Sequence, residues 1–160
     1  MVIKTGIGFD AHRLEKGEKL VLGGAEIPFE KGSVGHSDGD VLCHAVVDAL
    51  LGAANLGDIG LYFPSDDNTW KGVSSLVFLG NTAEEVRSNS FEIVHIDCTV
   101  ILQAPPIRSF IPEMKSKIAE ALGIQKDQIS IKATTTDYLG TVGRGEGIAA
   151  QVVSTLMSNR

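Results

Sequence analysis

The chain has 160 residues, 43% hydrophobic and 21% charged, which suits one soluble globular domain over residues 1–160 with a sizeable core. A formal net charge of −6 argues against nucleic-acid or anionic-membrane partners, which need basic surface, but leaves room for an anionic small molecule met by local cations. The two cysteines, Cys43 and Cys98, form no CxxC pair and sit in apolar patterns. With no bilayer-length apolar run and no signal or transit opening, they point to a reducing, cytoplasmic setting; a plastid protein stripped of its transit peptide would read the same way.

The opening "VIKTGIGFDAH" predicts a strand, "EKGEKL" a turn-rich connection, and "LVLGGAEIPF" one or two short strands broken at Gly23-Gly24. "EKGSVGHSDGD" reads as a glycine-containing loop, and "SDGDVLCHAVVDALLGAAN" is the clearest helix. Ser37 or Asp38 is the expected cap, with acids clustered in the first turn. Leu42, Ala45, Val46, Ala49 and Ala53 trace its apolar face, and Asp40, His44 and Asp48 a polar stripe on another. "LGDIGLYFPSDDNTWKG" is a long loop of the kind that often carries function. A helix weakened by Gly80, a β-branched strand "FEIVHIDCTVILQ", and a Pro-rich entry into a helix stopped at Gly123 follow. The strand "DQISIKATTT", a Gly-rich loop and "IAAQVVSTLMS", whose Val and Thr favour a strand, complete the chain. The order implies a single α+β domain, a β-sheet with helices packed on one face.

"GFDAHRL" puts Asp10 and His12 at i and i+2, on one face of a strand and about 7 Å apart at the backbone. His44 on the helix supplies a third donor, and three protein ligands with an open fourth position form the catalytic rather than the structural zinc pattern. Asp48, one turn on, is a candidate to hold the second nitrogen of His44. Each part has an ordinary reading as well: a polar strand end, and a surface imidazole paired with acids. "HSDGD" sets His36 and Ser37 before the helix, where amide N–H groups favour anions. "KATTTDYLGTVGRGEG" offers hydroxyls, Lys132 and Arg144 charge, and glycines that admit a ligand close to backbone. It lacks the Gly-Lys-Ser/Thr ending of a phosphate loop, and no Gly-x-Ser-x-Gly elbow or based cysteine supports a covalent route. The residue types favour metal-assisted chemistry on a phosphorylated small molecule.

In order and spacing, "GFDAHRL", "GGAEIPFEKG", "GHSDGDVLCHAVVDALLGAANLGDIGLYFPSDD", "QAPPIRSFIPEM" and "KATTTDYLGTVGRGEGIAA" resemble the 2-C-methyl-D-erythritol 2,4-cyclodiphosphate synthase family, over nearly the whole chain. The resemblance implies an α+β homotrimer with active sites between subunits, acting in the non-mevalonate isoprenoid pathway. The substrate it implies is the cytidine diphosphate 4-diphosphocytidyl-2-C-methyl-D-erythritol 2-phosphate. Its 2-phosphate attacks the β-phosphorus, CMP leaves, and a cyclic diphosphate forms. The resemblance further implies zinc on Asp10, His12 and His44, and magnesium or manganese near Asp137. His36 and Thr135 match positions that stabilise the transition state, with Ser37 beside His36. Asp58, Ile59 and Gly60 match the part that holds the methylerythritol hydroxyls, next to the loop from Phe63 to Asp67. Cytidine binding maps to Leu102, Ala104, Pro105, Ile107 and Arg108 and to Ala133, Thr134, Thr135 and Thr136. Arg144 matches an arginine near the trimer axis.

Several residues depart from the family pattern: Asp137 for a glutamate one methylene longer, Pro106 for a common lysine, Ser65 for an aspartate, and Thr141 for an aromatic residue. Two other functions share these features. A metallo-phosphodiesterase would release CMP by attack of water, and a trimeric binding protein would keep the pocket without turnover.

Overall fold

The computed structural model describes residues 1–158. In chain order the elements are β1 (Val2–Lys16), β2 (Leu20–Leu22), β3 (Ala25–Ile27), β4 (Lys31–Ser33), α1 (Val41–Ala54), α2 (Ile59–Tyr62), α3 (Ser75–Ser88), β5 (Glu92–Ile101), α4 (Ile111–Leu122), β6 (Ile129–Thr134), α5 (Gly140–Gly143) and β7 (Gly147–Ser158). Five strands form one sheet in the order β4-β1-β7-β5-β6, and β2 and β3 form a separate hairpin. All pairs in the large sheet are antiparallel except β5 with β6, whose parallel pairing is reached through the α4 crossover.

Strand alternation decides which side the helices cover. On β1 the even positions Gly6, Gly8 and Leu14 face inward, while Ile3, Ile7 and Phe9 face out and are exposed. Val153 of β7 and Val94 of β5 are also exposed, whereas Val152, Leu156, Ile96, Cys98 and Val100 are buried under the helices. The helices therefore pack on one face of the sheet, as the sequence implies.

α1 lies between this sheet and α3, which explains why it is apolar almost all round rather than on one stripe. Its approach to β1 is unusually close. A Cβ at Gly8 would sit 1.9 Å from the Ala45 carbonyl oxygen, and one at Gly6 would sit 2.0 Å from that of Ala49. Only glycine permits that contact.

The N-terminus of α1 differs from expectation. Its cap is Asp40, not Ser37 or Asp38, and its first turn carries no acid. Asp40 is fully buried, and its carboxylate accepts from the backbone N–H groups of Cys43 (3.0 Å), Gly23 (3.0 Å) and Gly24 (2.7 Å). It thus ties the β2–β3 turn to the helix, and the stripe of residues 40, 44 and 48 is not a solvated face. Burial and the neighbouring Asp38 push the Asp40 carboxyl up, against the three N–H donors. β1 runs on to Lys16, and the expected loops hold the single turns α2 and α5 and a 3-10 turn at Asn68–Trp70. The last strand and the αL stop at Gly123 agree with the sequence.

Candidate metal centre and nucleotide cavity

The glycines of β1 create the site. Because α1 nests against Gly8 through Ala45, the preceding residue, His44, reaches the strand two residues further on. There Asp10 Oδ2 and His12 Nε2 are 2.9 Å apart, and His44 Nδ1 lies 3.1 Å from each. The edges of this triangle approach the roughly 3.3 Å edge of a tetrahedron with ligand bonds near 2.1 Å. The side chains are 28%, 18% and 11% exposed, so the open side faces solvent without the donors being solvated freely.

The electrostatics fit a cation. Burial pushes the Asp10 carboxyl up, yet hydrogen bonds and charge from His12 and His44 outweigh it and hold the group well below the usual carboxylate range. For His12 burial acts downward, and the Asp10 carboxylate more than reverses it. Three lone pairs aimed at one point repel unless a cation or a shared proton sits among them. A carboxylate with two imidazoles suits zinc or a similar divalent transition metal.

The orienting role expected of Asp48 falls to other residues. His44 Nε2 lies 2.9 Å from Ser75 Oγ and 3.0 Å from Ser37 Oγ, and Phe78 stacks on the ring at 5.9 Å. Asp48 Oδ1 instead accepts from the Ile59 N–H at 2.8 Å, because α1 points it at the start of α2. It thereby pins the turn of Asp58, Ile59 and Gly60, where the Asp58 carboxylate caps Leu61 N at 3.1 Å. Phe63 is buried against Phe78, with ring centroids 4.3 Å apart, and Trp70 meets both edge-on. The Phe63 side chain is committed to this cluster.

His36 and Asp67 come together across two loops: His36 Nε2 donates to the Asp67 carbonyl at 2.9 Å, and Gly72 N donates to the His36 carbonyl at 2.9 Å. The Asp67 carboxylate caps Thr69 N at 2.9 Å. Leu102, Pro105, Ile107, Ala133, Thr134 and Thr135 line one cavity of about 210 Å³, together with Gln103 and Pro106. Ala104 lines a neighbouring cavity with Arg144, and Arg108 lines neither. Thr135 Oγ1 accepts from Asp137 N at 3.2 Å, and the Thr136 hydroxyl donates to the Leu139 carbonyl at 2.7 Å. Two cations of this region are already paired, Lys132 with Asp97 and Arg144 with Glu146.

The candidate metal ligands and this cavity do not meet within one chain. Asp10, Ala150, Val100 and Ala133 are successive partners across β1, β7, β5 and β6. Three strand spacings separate the ends of that row by roughly 14 Å, and none of Asp10, His12 or His44 lines the cavity.

Residues 3–157 match the YgbB family. The chain belongs to that family. Among relatives of this YgbB chain is the 2-C-methyl-D-erythritol 2,4-cyclodiphosphate synthase of Alkaliphilus metalliredigens, 52% identical over 94% of this chain and 95% of that protein. The bifunctional IspDF of Campylobacter jejuni superposes with a TM-score of 0.94 at 41% identity, covering 98% of this chain and 42% of that one. The CDP complex of IspF from Plasmodium falciparum does so with a TM-score of 0.86 at 30% identity, covering 99% and 97%. The resemblance read from the motifs is therefore borne out. Local sequence gives no sign that Ser75 and Phe78 meet His44, or that Asp38, there a candidate cap, bonds Ser75 instead, because these contacts of the YgbB chain span 31 to 37 residues. The Gly-x-Gly of β1 was the one visible signal of a close helix approach.

Proposed function

We propose that the chain converts 4-diphosphocytidyl-2-C-methyl-D-erythritol 2-phosphate to 2-C-methyl-D-erythritol 2,4-cyclodiphosphate and CMP, as a phosphorus–oxygen lyase of isoprenoid precursor synthesis. The observation that carries this is the ligand triangle of Asp10, His12 and His44 within a YgbB-family fold. Zinc on that triangle would neutralise phosphate charge, and magnesium or manganese at Asp137 would do the same for the diphosphate. Asp10, His12 and His44 would hold the first ion and Asp137 the second.

The remaining residues bind and fold the substrate. A phosphate monoester has a second pKa of about 6, so at neutral pH the attacking group is already largely dianionic and needs no base. Catalysis is then proximity and charge control. Asp58 with the backbone of Ile59 and Gly60 receives the polyol, held in place by Asp48. The cavity at Leu102, Pro105, Ile107, Ala133, Thr134 and Thr135 receives the nucleoside, supported by the CDP bound in the Plasmodium relative. His36 and Thr135 donate to oxygens that gain charge.

The gap along the sheet between metal and cavity supports a site completed by a second subunit. The exposed Ile3, Ile7, Phe9 and Val153 on the uncovered sheet face supply an apolar surface for the homotrimer. No helix among the described residues is long and apolar enough to cross a membrane, and the buried free thiols of Cys43 and Cys98 suit a reducing, cytoplasmic compartment. Phosphorus NMR of the protein with the cytidine substrate and magnesium tests the reading. The expected result is two coupled signals of a cyclic diphosphate together with CMP. CMP with open-chain phosphates would make the protein a hydrolase, and no turnover by zinc-loaded protein would overturn the enzyme reading.

A further inference from the structure

The third ligand is the only one of the three on a helix, and its imidazole must present Nδ1 rather than Nε2 to the other two. Which nitrogen carries the proton is set by what the other nitrogen bonds. His44 Nε2 faces Ser75 Oγ at 2.9 Å, and Ser75 Oγ faces Asp38 Oδ1 at 2.5 Å. A serine hydroxyl has one proton to give, and a carboxylate only accepts. Ser75 therefore donates to Asp38, and its remaining lone pairs can only accept from His44.

We propose that Asp38 and Ser75 are positioning residues for the metal centre: together they hold His44 in the tautomer with its proton on Nε2 and its lone pair on Nδ1, aimed at the ion. Asp48 accepts from the Ile59 N–H instead. Both positioning residues are anchored at the start of α3. Ser75 is fully buried, and its backbone N–H donates to Asp38 Oδ2 at 2.9 Å, so both of its polar groups are held by the same carboxylate. One turn on, Phe78 stacks on the imidazole with planes 23° apart and fixes the ring plane. Ser37 also reaches Nε2, at 3.0 Å, and stands 3.4 Å from Ser75 Oγ. With Ser75 holding the imidazole, the Ser37 hydroxyl is free to turn toward a bound phosphate while the tautomer persists.

The inference rests on the metal reading above, and the test separates the two. Nitrogen-15 NMR of histidine-labelled, zinc-loaded protein reports which His44 nitrogen carries the proton, and chelator competition reports zinc affinity. The wild type is expected to show a slowly exchanging proton on Nε2, with the Nδ1 lone pair given to the ion. Ser75→Ala is expected to lose that slow exchange and to bind zinc about 10- to 100-fold more weakly. Asp38→Asn, whose amide can donate as well as accept, is expected to move both readouts in the same direction and serves alone if Ser75→Ala does not fold. Ser74→Ala removes the α3 cap on Leu76 N without touching His44. It should lower the melting temperature and leave tautomer and zinc affinity unchanged. An unchanged Nε2 proton signal and zinc affinity in a folded Ser75→Ala or Asp38→Asn protein overturn the proposal. A folded wild type that takes up no zinc overturns the metal reading instead.

Discussion

Adding one methyl group to β1 should dismantle the candidate metal centre from the side opposite Asp10 and His12. In Gly8→Ala the new Cβ would begin 1.9 Å from the Ala45 carbonyl oxygen, where real Cβ contacts stop near 3.0 Å. α1 must then retreat by about 1.1 Å, against a tolerance of about 0.2 Å in a metal site's bond lengths. His44 rides on that helix one residue before Ala45, while Asp10 and His12 stay on the strand. Their 3.1 Å separations from His44 open accordingly. Overpacking of this kind costs about 1–3 kcal/mol, or about 2–12 °C of melting temperature at this chain length. Zinc affinity should fall by more than about 100-fold, beyond what loss of an outer hydrogen bond produces. The comparison is Gly52→Ala on the same helix, where the nearest atom to a Cβ is 3.9 Å away. That variant should gain up to about 1 kcal/mol from helix propensity and bind zinc normally. Scanning fluorimetry and chelator competition measure both quantities. A Gly8→Ala protein with parental zinc affinity and melting temperature would refute the reasoning.

Asp40→Ala strands three backbone donors at once, and at about 1–3 kcal/mol for each orphaned buried group it should lose several kcal/mol in urea unfolding. A loss below about 1 kcal/mol would mean that the turn at Gly23-Gly24 finds other acceptors. Burial pushes the Cys98 thiol up to about 12 and the Cys43 thiol well above its ordinary value, so neither supplies thiolate at pH 8. Native protein should therefore resist a thiol-reactive disulfide reagent until it is unfolded, and rapid labelling of the folded chain would contradict the packing. Asp137→Glu, which restores the reach common in the family, should keep or raise magnesium-dependent turnover. A severe loss would show that the left-handed backbone at Asp137 and Tyr138 has adapted to the shorter carboxylate.

What the sequence made legible follows from distance along the chain. α1 could be read because its periodicity is local, and Asp10, His12 and His44 because metal-binding residue types stand out wherever they sit. The cap could not: "SDGD" offers three side chains able to cap, and Asp40 wins because it also satisfies Gly23 and Gly24, whose nearness is tertiary. Asp48 was a fair candidate for His44 by helical spacing, but α1 turns it toward Ile59 while α3 brings Ser75 to the imidazole. The separation of the Asp10, His12 and His44 triangle from the cavity at Leu102 and Thr135 was equally hidden, since it depends on β7 inserting between β1 and β5.

The glycines of β1 also act as a lock on alignment. β1 and β7 pair over twelve positions from Val2↔Ser158 to Arg13↔Gly147, and a slip by one residue would turn every side chain of β1 to the other face. Ile7 and Phe9 would then point at a helix backbone that has no space for a methyl group. The misaligned chain cannot close on α1, so the same contact that draws His44 to the strand rejects every pairing in which Asp10 and His12 face away from it.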